Sequence, residues 1–227
     1  MSPEDVPGFA EYAEARRRMV DEQLAGRGIR DPRVLAAMRT VPRHLFVEPD
    51  LVDRAYGDFA MPTIEGQTIS QPWIVAKMLE LCELAPGLRV LEIGTGTGYQ
   101  TSLLASLACE VYSVERLAPL LAAAQERLAA LGFRGVHLRL GDGTLGWREF
   151  APYARVLAAA AAPHVPRALL DQLGDGGVLV IPVGGVQSQH IEVWRRQGDR
   201  FLRERRDECR FVPLIGQDAW REDPHSN

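Results

Sequence analysis

The chain has 227 residues, 46% hydrophobic and 25% charged, an ordinary globular composition with enough length to bury a sizeable core, so one domain is the default expectation. Twenty-six basic against 30 acidic residues give a formal charge of -4, and no Lys/Arg run resembles the stripes that track phosphate backbones, which argues against nucleic acid as a partner. Cys82, Cys109 and Cys209 form no C-x-x-C pair, Met1 to Ala10 carries two acids and no base, and no apolar run reaches spanning length; these features predict a cytoplasmic protein with reduced thiols and no membrane partner.

The pattern from Tyr12 to about Gly28 is helical and charged, and Asp31-Pro32 supplies a cap and first turn for a second short helix over Val34 to Met38. Pro62, Gly66 and Pro72 punctuate a loop, after which Ile74, Val75, Met78, Leu79 and Cys82 recur at helical spacing, so a helix is predicted from Pro72. Strand and helix then alternate: Arg89 to Ile93, a helix through Leu104, Glu110 to Val114, a helix from Ala118 to Leu131, and Val136 to Leu140. Such alternation predicts parallel strands joined by helical crossovers. An apolar run from Val156 to Ala162 and a strand from Val178 to Val183 flank a short helical stretch, Val165 to Leu173. The last strand-like segments, Ile191 to Arg195 and Phe211 to Leu214, have no predicted helix between them, which implies an antiparallel finish. The expected fold is α/β, a Rossmann-like three-layer sandwich with a mostly parallel central sheet. In it, residues 1–60 form a helical segment packed on a core of residues 66–214, and 215–227 form a tail.

The most informative stretch is Val90-Leu91-Glu92-Ile93-Gly94-Thr95-Gly96-Thr97-Gly98-Tyr99, an apolar strand that runs into three alternate glycines and then a helix. Glycines there let the backbone approach a ligand that a Cβ would exclude, and the helix start offers unpaired N–H groups. A plain strand-to-helix turn is the competing reading. Context decides between them: the next strand ends in Glu115 and the one after in Gly141-Asp142-Gly143. An acid at the end of the second strand suits the paired hydroxyls of a ribose, and Asp142 suits the exocyclic amine of an adenine. A dinucleotide loop reads G-x-G-x-x-G and places a pyrophosphate on the helix N-terminus. Here the third glycine arrives one residue early, which fits S-adenosylmethionine, whose methionyl tail has no pyrophosphate.

Gly66-Gln67-Thr68-Ile69-Ser70-Gln71-Pro72 resembles the G-Q-T-I-S-x-P signature of protein-L-isoaspartate O-methyltransferases. Met19 to Met38, Val41-Pro42-Arg43, Phe46-Val47, the glycine loop with Tyr99-Gln100, Val111 to Arg116, and Ile181-Pro182-Val183-Gly184 resemble the bacterial members as well, so the likeness runs from about Met19 to Leu214. It implies methyl transfer to the α-carboxylate of L-isoaspartyl residues in damaged proteins or peptides, starting repair through a succinimide and releasing S-adenosylhomocysteine. By this resemblance Ser70 is the catalytic serine, with Thr68 and Ile69 beside it on the substrate. Gly94, Thr95, Gly96, Gly98, Glu115, Asp142, Gly143 and Gln189 hold the cofactor. A monomer is expected.

The chemistry asks for few groups, because a carboxyl with a reference pKa of roughly 4 is already an anion at neutral pH. In-line displacement at a sulfonium methyl needs mainly two reactants held at attack distance, which is worth roughly 7–11 kcal/mol. Ser70 as a mere turn former ahead of a Pro-started helix is the bland alternative. His44, His137, His164, His190 and His225 have no ligand-like spacing, so no metal is expected.

Two stretches depart from the family pattern. Where relatives read P-F-D-A-I-I-V-T-A-A-A-P, this chain has Ala154 in place of the acid and Ala159 in place of the threonine. Where they read P-I-G-x-G, it has Pro62-Thr63-Ile64-Glu65-Gly66, with a glycine replaced by Ile64 and a negative charge at Glu65. These departures leave two further readings: a carboxyl methyltransferase of one dedicated peptide or small molecule, and a non-catalytic cofactor-binding scaffold. Retention of Ser70 beside a complete glycine loop argues against the scaffold.

Overall fold

A computed structural model describes residues 8–185 and 187–221; His225 and the end of the 215–227 tail lie outside the described residues, as do residues 1–7. The chain opens with helix α1 (Ala13–Arg18), which continues as a π-helical stretch, Met19–Leu24, and a 3-10 turn, Ala25–Arg27. That turn closes at Gly28, whose φ of +98° is the left-handed conformation that suits glycine. Helix α2 (Pro32–Thr40) follows, with the Asp31 carboxylate accepting the Arg33 N–H at 2.8 Å and Pro32 in the first turn, as the sequence predicts.

Next come a two-stranded hairpin of β1 (Met61–Pro62) and β2 (Thr68–Ile69) and helix α3 (Pro72–Leu81). The predicted alternation then appears as β3 (Arg89–Ile93), α4 (Tyr99–Ser106), β4 (Glu110–Glu115), α5 (Ala118–Ala130) and β5 (Val136–Leu140). β6 (Tyr153–Ala158), α6 (Arg167–Asp171), β7 (Leu173–Gly184), β8 (Gln189–Gln197) and β9 (Arg200–Cys209) complete it.

The seven-stranded sheet has the order β5-β4-β3-β6-β7-β8-β9, parallel from β5 to β7 and antiparallel from β7 through β9. Period-two alternation divides the strand residues between its faces. Val90, Val111, Leu157, Val178 and Val193 pack with the N-terminal helices, α3 and α4 on one side. Leu91, Ile93, Val114, Val156 and Leu179 pack with α6 and the 147–151 segment on the other. Because β3 is followed to one side by β4 and to the other by β6, the chain order reverses at β3, and a crevice opens beyond the carboxyl ends of these three strands.

One expected strand is displaced. Phe211 to Leu214 adds no strand to the sheet; it crosses the end of β6, where the Ala161 N–H donates to the Val212 carbonyl and the Leu214 N–H to the Ala161 carbonyl, both at 2.8 Å. The final strand is β9, Arg-Phe-Leu-Arg-Glu-Arg-Arg-Asp-Glu-Cys, an edge strand with polar residues on both faces and therefore no alternation to read. Among the described residues no helix is long and apolar enough to cross a membrane.

Candidate functional site

The crevice at the carboxyl edge of the sheet is walled by three loops. The glycine loop after β3 contributes Gly94, Thr95, Gly96 and Thr97; the hairpin-to-α3 connection contributes Gln67, Thr68, Ile69 and Ser70; and the segment Val212–Ile215 covers the end of β6. Glu115, Arg116 and Leu117 from the end of β4, Gly143, Ala159 and Tyr99 are among the other lining residues.

Backbone conformation shapes the glycine loop. Gly94, Gly96 and Gly98 have φ of +90°, +54° and +87°, the left-handed region that costs other residues about 1–2 kcal/mol each. Their surroundings differ. A Cβ on Gly96 would meet nothing within 4 Å, so that position faces open cleft, whereas one on Gly98 would lie 3.4 Å from Ala124 and Leu128 of α5. Gly98 is thus a packing glycine, and it stands outside the cleft lining.

Polar groups beneath the loop hold it rigid. The buried Glu115 carboxylate accepts the Gly96 N–H at 2.9 Å on one oxygen, and those of Arg116 and Leu117 at 2.8 and 3.0 Å on the other. Thr95 Oγ1 lies 2.7 Å from Ser113 Oγ, which in turn donates to Glu92 at 2.6 Å; Thr101 and Gln100 also donate to Glu92, at 2.5 and 3.0 Å. Complete burial pushes the Glu92 carboxyl up to about 7, partly opposed by these donors. From α5, Arg127 Nη1 donates to the Thr97 carbonyl at 2.7 Å.

On the opposite wall Ser70 follows a hairpin closed by the Thr63 N–H to Gln67 carbonyl bond at 2.9 Å. Gln71 is the N-cap of α3 without a side-chain cap, and the Trp73 N–H is taken instead by Asp58 at 2.9 Å. Ser70 therefore does not cap the helix. Its carbonyl accepts Arg43 Nη2 at 2.8 Å, while among the described residues its hydroxyl has no hydrogen-bond partner.

The structure thus gathers Thr68, Ile69, Ser70, Gly94, Thr95, Gly96, Glu115 and Gly143 around one cleft. Asp142 and Gln189 stand outside the lining. Asp142 Oδ1 accepts from Thr144 N and Oγ1, and Oδ2 from Gln217 N at 2.8 Å, which ties the 212–217 segment down. Gln189 makes a two-way bond with the Phe211 backbone, at 2.7 and 3.2 Å, and anchors the other end of that segment. Of the departures, Ala159 lies in the cleft beside Gly94, whereas Glu65 is exposed, outside the lining, in a left-handed conformation of φ +57°. Sequence reasoning gave no role to Arg43, Glu92, Arg127 or the 212–215 wall, although Val41-Pro42-Arg43 and the acid within V-L-E-I-G-T-G lie in stretches it singled out.

Residues 14–219 match the family model described as protein-L-isoaspartate(D-aspartate) O-methyltransferase. A relative of that name from Methanoregula boonei is 53% identical over 208 residues, covering 92% of this chain and 96% of its own. Another, from a Synechococcus strain, is 51% identical over 222 residues, covering 95% and 91%. A solved protein-L-isoaspartate O-methyltransferase superposes with a TM-score of 0.81 at 26% identity, covering 90% of this chain and 67% of its own. A Plasmodium falciparum structure described under the same activity, in complex with S-adenosyl-L-homocysteine, shares the fold with a TM-score of 0.78 at 23% identity, covering 88% and 98%.

Proposed function

The chain belongs to the protein-L-isoaspartate(D-aspartate) O-methyltransferase family, and from that premise we propose that its cleft holds S-adenosylmethionine against the glycine loop and an isoaspartyl α-carboxylate at Ser70. The enzyme methylates isoaspartyl residues of damaged proteins and leaves S-adenosylhomocysteine. The observation that carries the placement is that Ser70, whose hydroxyl has no partner among the described residues, lines one cleft with an open glycine and a buried acid.

The residues present fit the cofactor. Open space at Gly96 leaves room for close approach, and the Glu115 carboxylate, with three backbone donors already fixing it, keeps one acceptor site, on the oxygen that takes the Gly96 N–H, for a ribose hydroxyl. Gly94, Thr95 and Gly143 line the same wall. Gly98, Asp142 and Gln189 support that wall from behind, Gly98 against α5 and the other two through the 212–217 segment. When bound, S-adenosylmethionine supplies a methyl group activated by its sulfonium.

On the acceptor side no base is required, since a carboxylate is already the nucleophile at neutral pH. The Ser70 O–H donates to it and fixes the attacking oxygen, a positioning role that forms no covalent bond with the enzyme. Thr68 and Ile69 form the adjoining wall, and the outward placement of Glu65 leaves an anionic substrate unopposed there. Cys82, Cys109 and Cys209 are free, in keeping with a reducing compartment such as the cytoplasm.

Single-turnover methyl transfer to an isoaspartyl peptide tests the placement. A hydrogen bond to a charged group is worth about 1.5–3 kcal/mol, so Ser70→Ala should slow transfer roughly ten- to somewhat over a hundredfold while cofactor affinity holds. An unchanged rate in a folded variant defeats it.

A further inference from the structure

Behind the Ser70 loop lies Arg43, whose side chain is wholly out of solvent. Its Nε donates to the Ala55 carbonyl and its Nη2 to the Ser70 carbonyl, each at 2.8 Å, and its guanidinium sits 4.8 Å from the centre of the Tyr99 ring. Nη1 is buried with no partner among the described residues. None of the ion pairs among the described residues includes Arg43; the acid that acts on it from a distance, Asp58, is engaged by Arg27 and by the Trp73 N–H.

A cation buried without a counter-ion is a costly arrangement, and a neutral donor would bridge two carbonyls as well. Arginine nevertheless stays charged in proteins. The two hydrogen bonds and the Tyr99 ring leave the charge without an ion pair among the described residues, and the Ser70 carbonyl it holds belongs to the wall of the cleft.

We propose that Arg43 is a positioning residue whose buried positive charge makes the Ser70 site prefer a carboxylate over a neutral group of the same shape. The proposal rests on the placement of the substrate carboxylate at Ser70. With Nη2 on the Ser70 carbonyl oxygen, covalent geometry puts the guanidinium within roughly 10 Å of a carboxylate bonded to the Ser70 hydroxyl. At an effective dielectric of about 20, two opposite charges at that distance shift a binding constant roughly ten- to twentyfold. Because the cation is buried, salt screens it weakly.

The test compares the dissociation constants of an isoaspartyl peptide and its α-carboxamide twin, with S-adenosylhomocysteine present, in the parent, Arg43→Gln and Arg43→Lys enzymes. Arg43→Gln should shrink the acid-over-amide preference about tenfold, chiefly by weakening the acid, with S-adenosylhomocysteine and the amide bound as before. Arg43→Lys keeps the charge and should keep the preference. A purely structural arginine predicts a lower Tm and equal weakening of both peptides. The proposal is overturned if folded Arg43→Gln retains the full preference, or if Arg43→Lys loses it. Should the Gln variant not fold, the Lys variant decides alone. Ser70→Ala separates the two readings. Unchanged turnover there removes the Ser70 placement and this proposal together, whereas lost turnover there with an undiminished preference in Arg43→Gln removes Arg43 only.

Discussion

Two glycines of one loop should differ in what the same added methyl group does to ligand affinity. Gly96 and Gly98 both hold left-handed φ, of +54° and +87°, so alanine at either carries a backbone penalty of about 1–2 kcal/mol. At Gly96 the new Cβ has nothing within 4 Å, so the cost to the free protein ends there, and Tm should fall by roughly 2–8 °C for a domain of this size. At Gly98 it lands 3.4 Å from Ala124 and Leu128, at van der Waals contact, so the backbone penalty again sets the cost and Tm should fall by a similar amount. Ligand affinity should separate the two. The Gly96 methyl enters the space proposed for the cofactor, where a crowding penalty of about 1–3 kcal/mol converts to roughly five- to 150-fold weaker binding. Gly98 does not line the cleft, and a folded Gly98→Ala should bind nearly as the parent does. Calorimetric titration with S-adenosylhomocysteine, alongside thermal unfolding, reads both quantities. Parental affinity in Gly96→Ala, or an equal loss in a folded Gly98→Ala, would refute the reasoning.

Glu92 has a folded pKa raised to about 7 from an ordinary value of 4.5, so its contribution to stability is present at low pH and fades as pH rises from about 4.5 through 7. Glu92→Gln should therefore gain Tm relative to the parent between pH 5 and pH 8, with a limit on the order of 3 kcal/mol; a pH-independent difference between the two contradicts the burial argument. Arg127→Met removes the donor on the Thr97 carbonyl and should weaken S-adenosylhomocysteine about three- to tenfold, a fraction of a charged hydrogen bond, with the isoaspartyl KM little changed. Turnover should survive EDTA, because among the described residues no three His, Cys, Asp or Glu side chains are placed to hold a metal ion; a metal-restorable loss would contradict this.

How much of this was legible beforehand follows from what each residue does. The glycine loop was readable because a left-handed backbone leaves a mark on residue type itself: Gly94, Gly96 and Gly98 are glycines for conformational reasons that hold before any tertiary contact forms. Strands β3 and β4 were readable because central parallel strands need near-continuous apolar runs, interrupted within them only by Glu92 and Ser113. β9 was not, since an edge strand is defined by its one neighbour, β8, and its ten residues are mostly charged. Asp142 shows the same limit within the site. Its place at a strand end fits a ligand acceptor, yet which donors reach it depends on Gln217, 75 residues away.

Arg43 carries that limit to its end. Val41-Pro42-Arg43 is legible as a family-like motif, but nothing local marks its arginine as buried, since arginine is almost never fully buried unless paired. Only the fold turns it inward, by bringing the Ala55 and Ser70 carbonyls, 12 and 27 residues away, to two nitrogens of one guanidinium. A reaction that needs no general base puts its demands on shape and on field. Shape at this site comes from glycines and is written locally, whereas field comes from where a charge ends up after folding. The residues to which sequence reasoning gave no role, Arg43, Glu92 and Arg127, are accordingly all ionisable groups behind the walls of the cleft and outside its lining, the first two buried and the third half-buried.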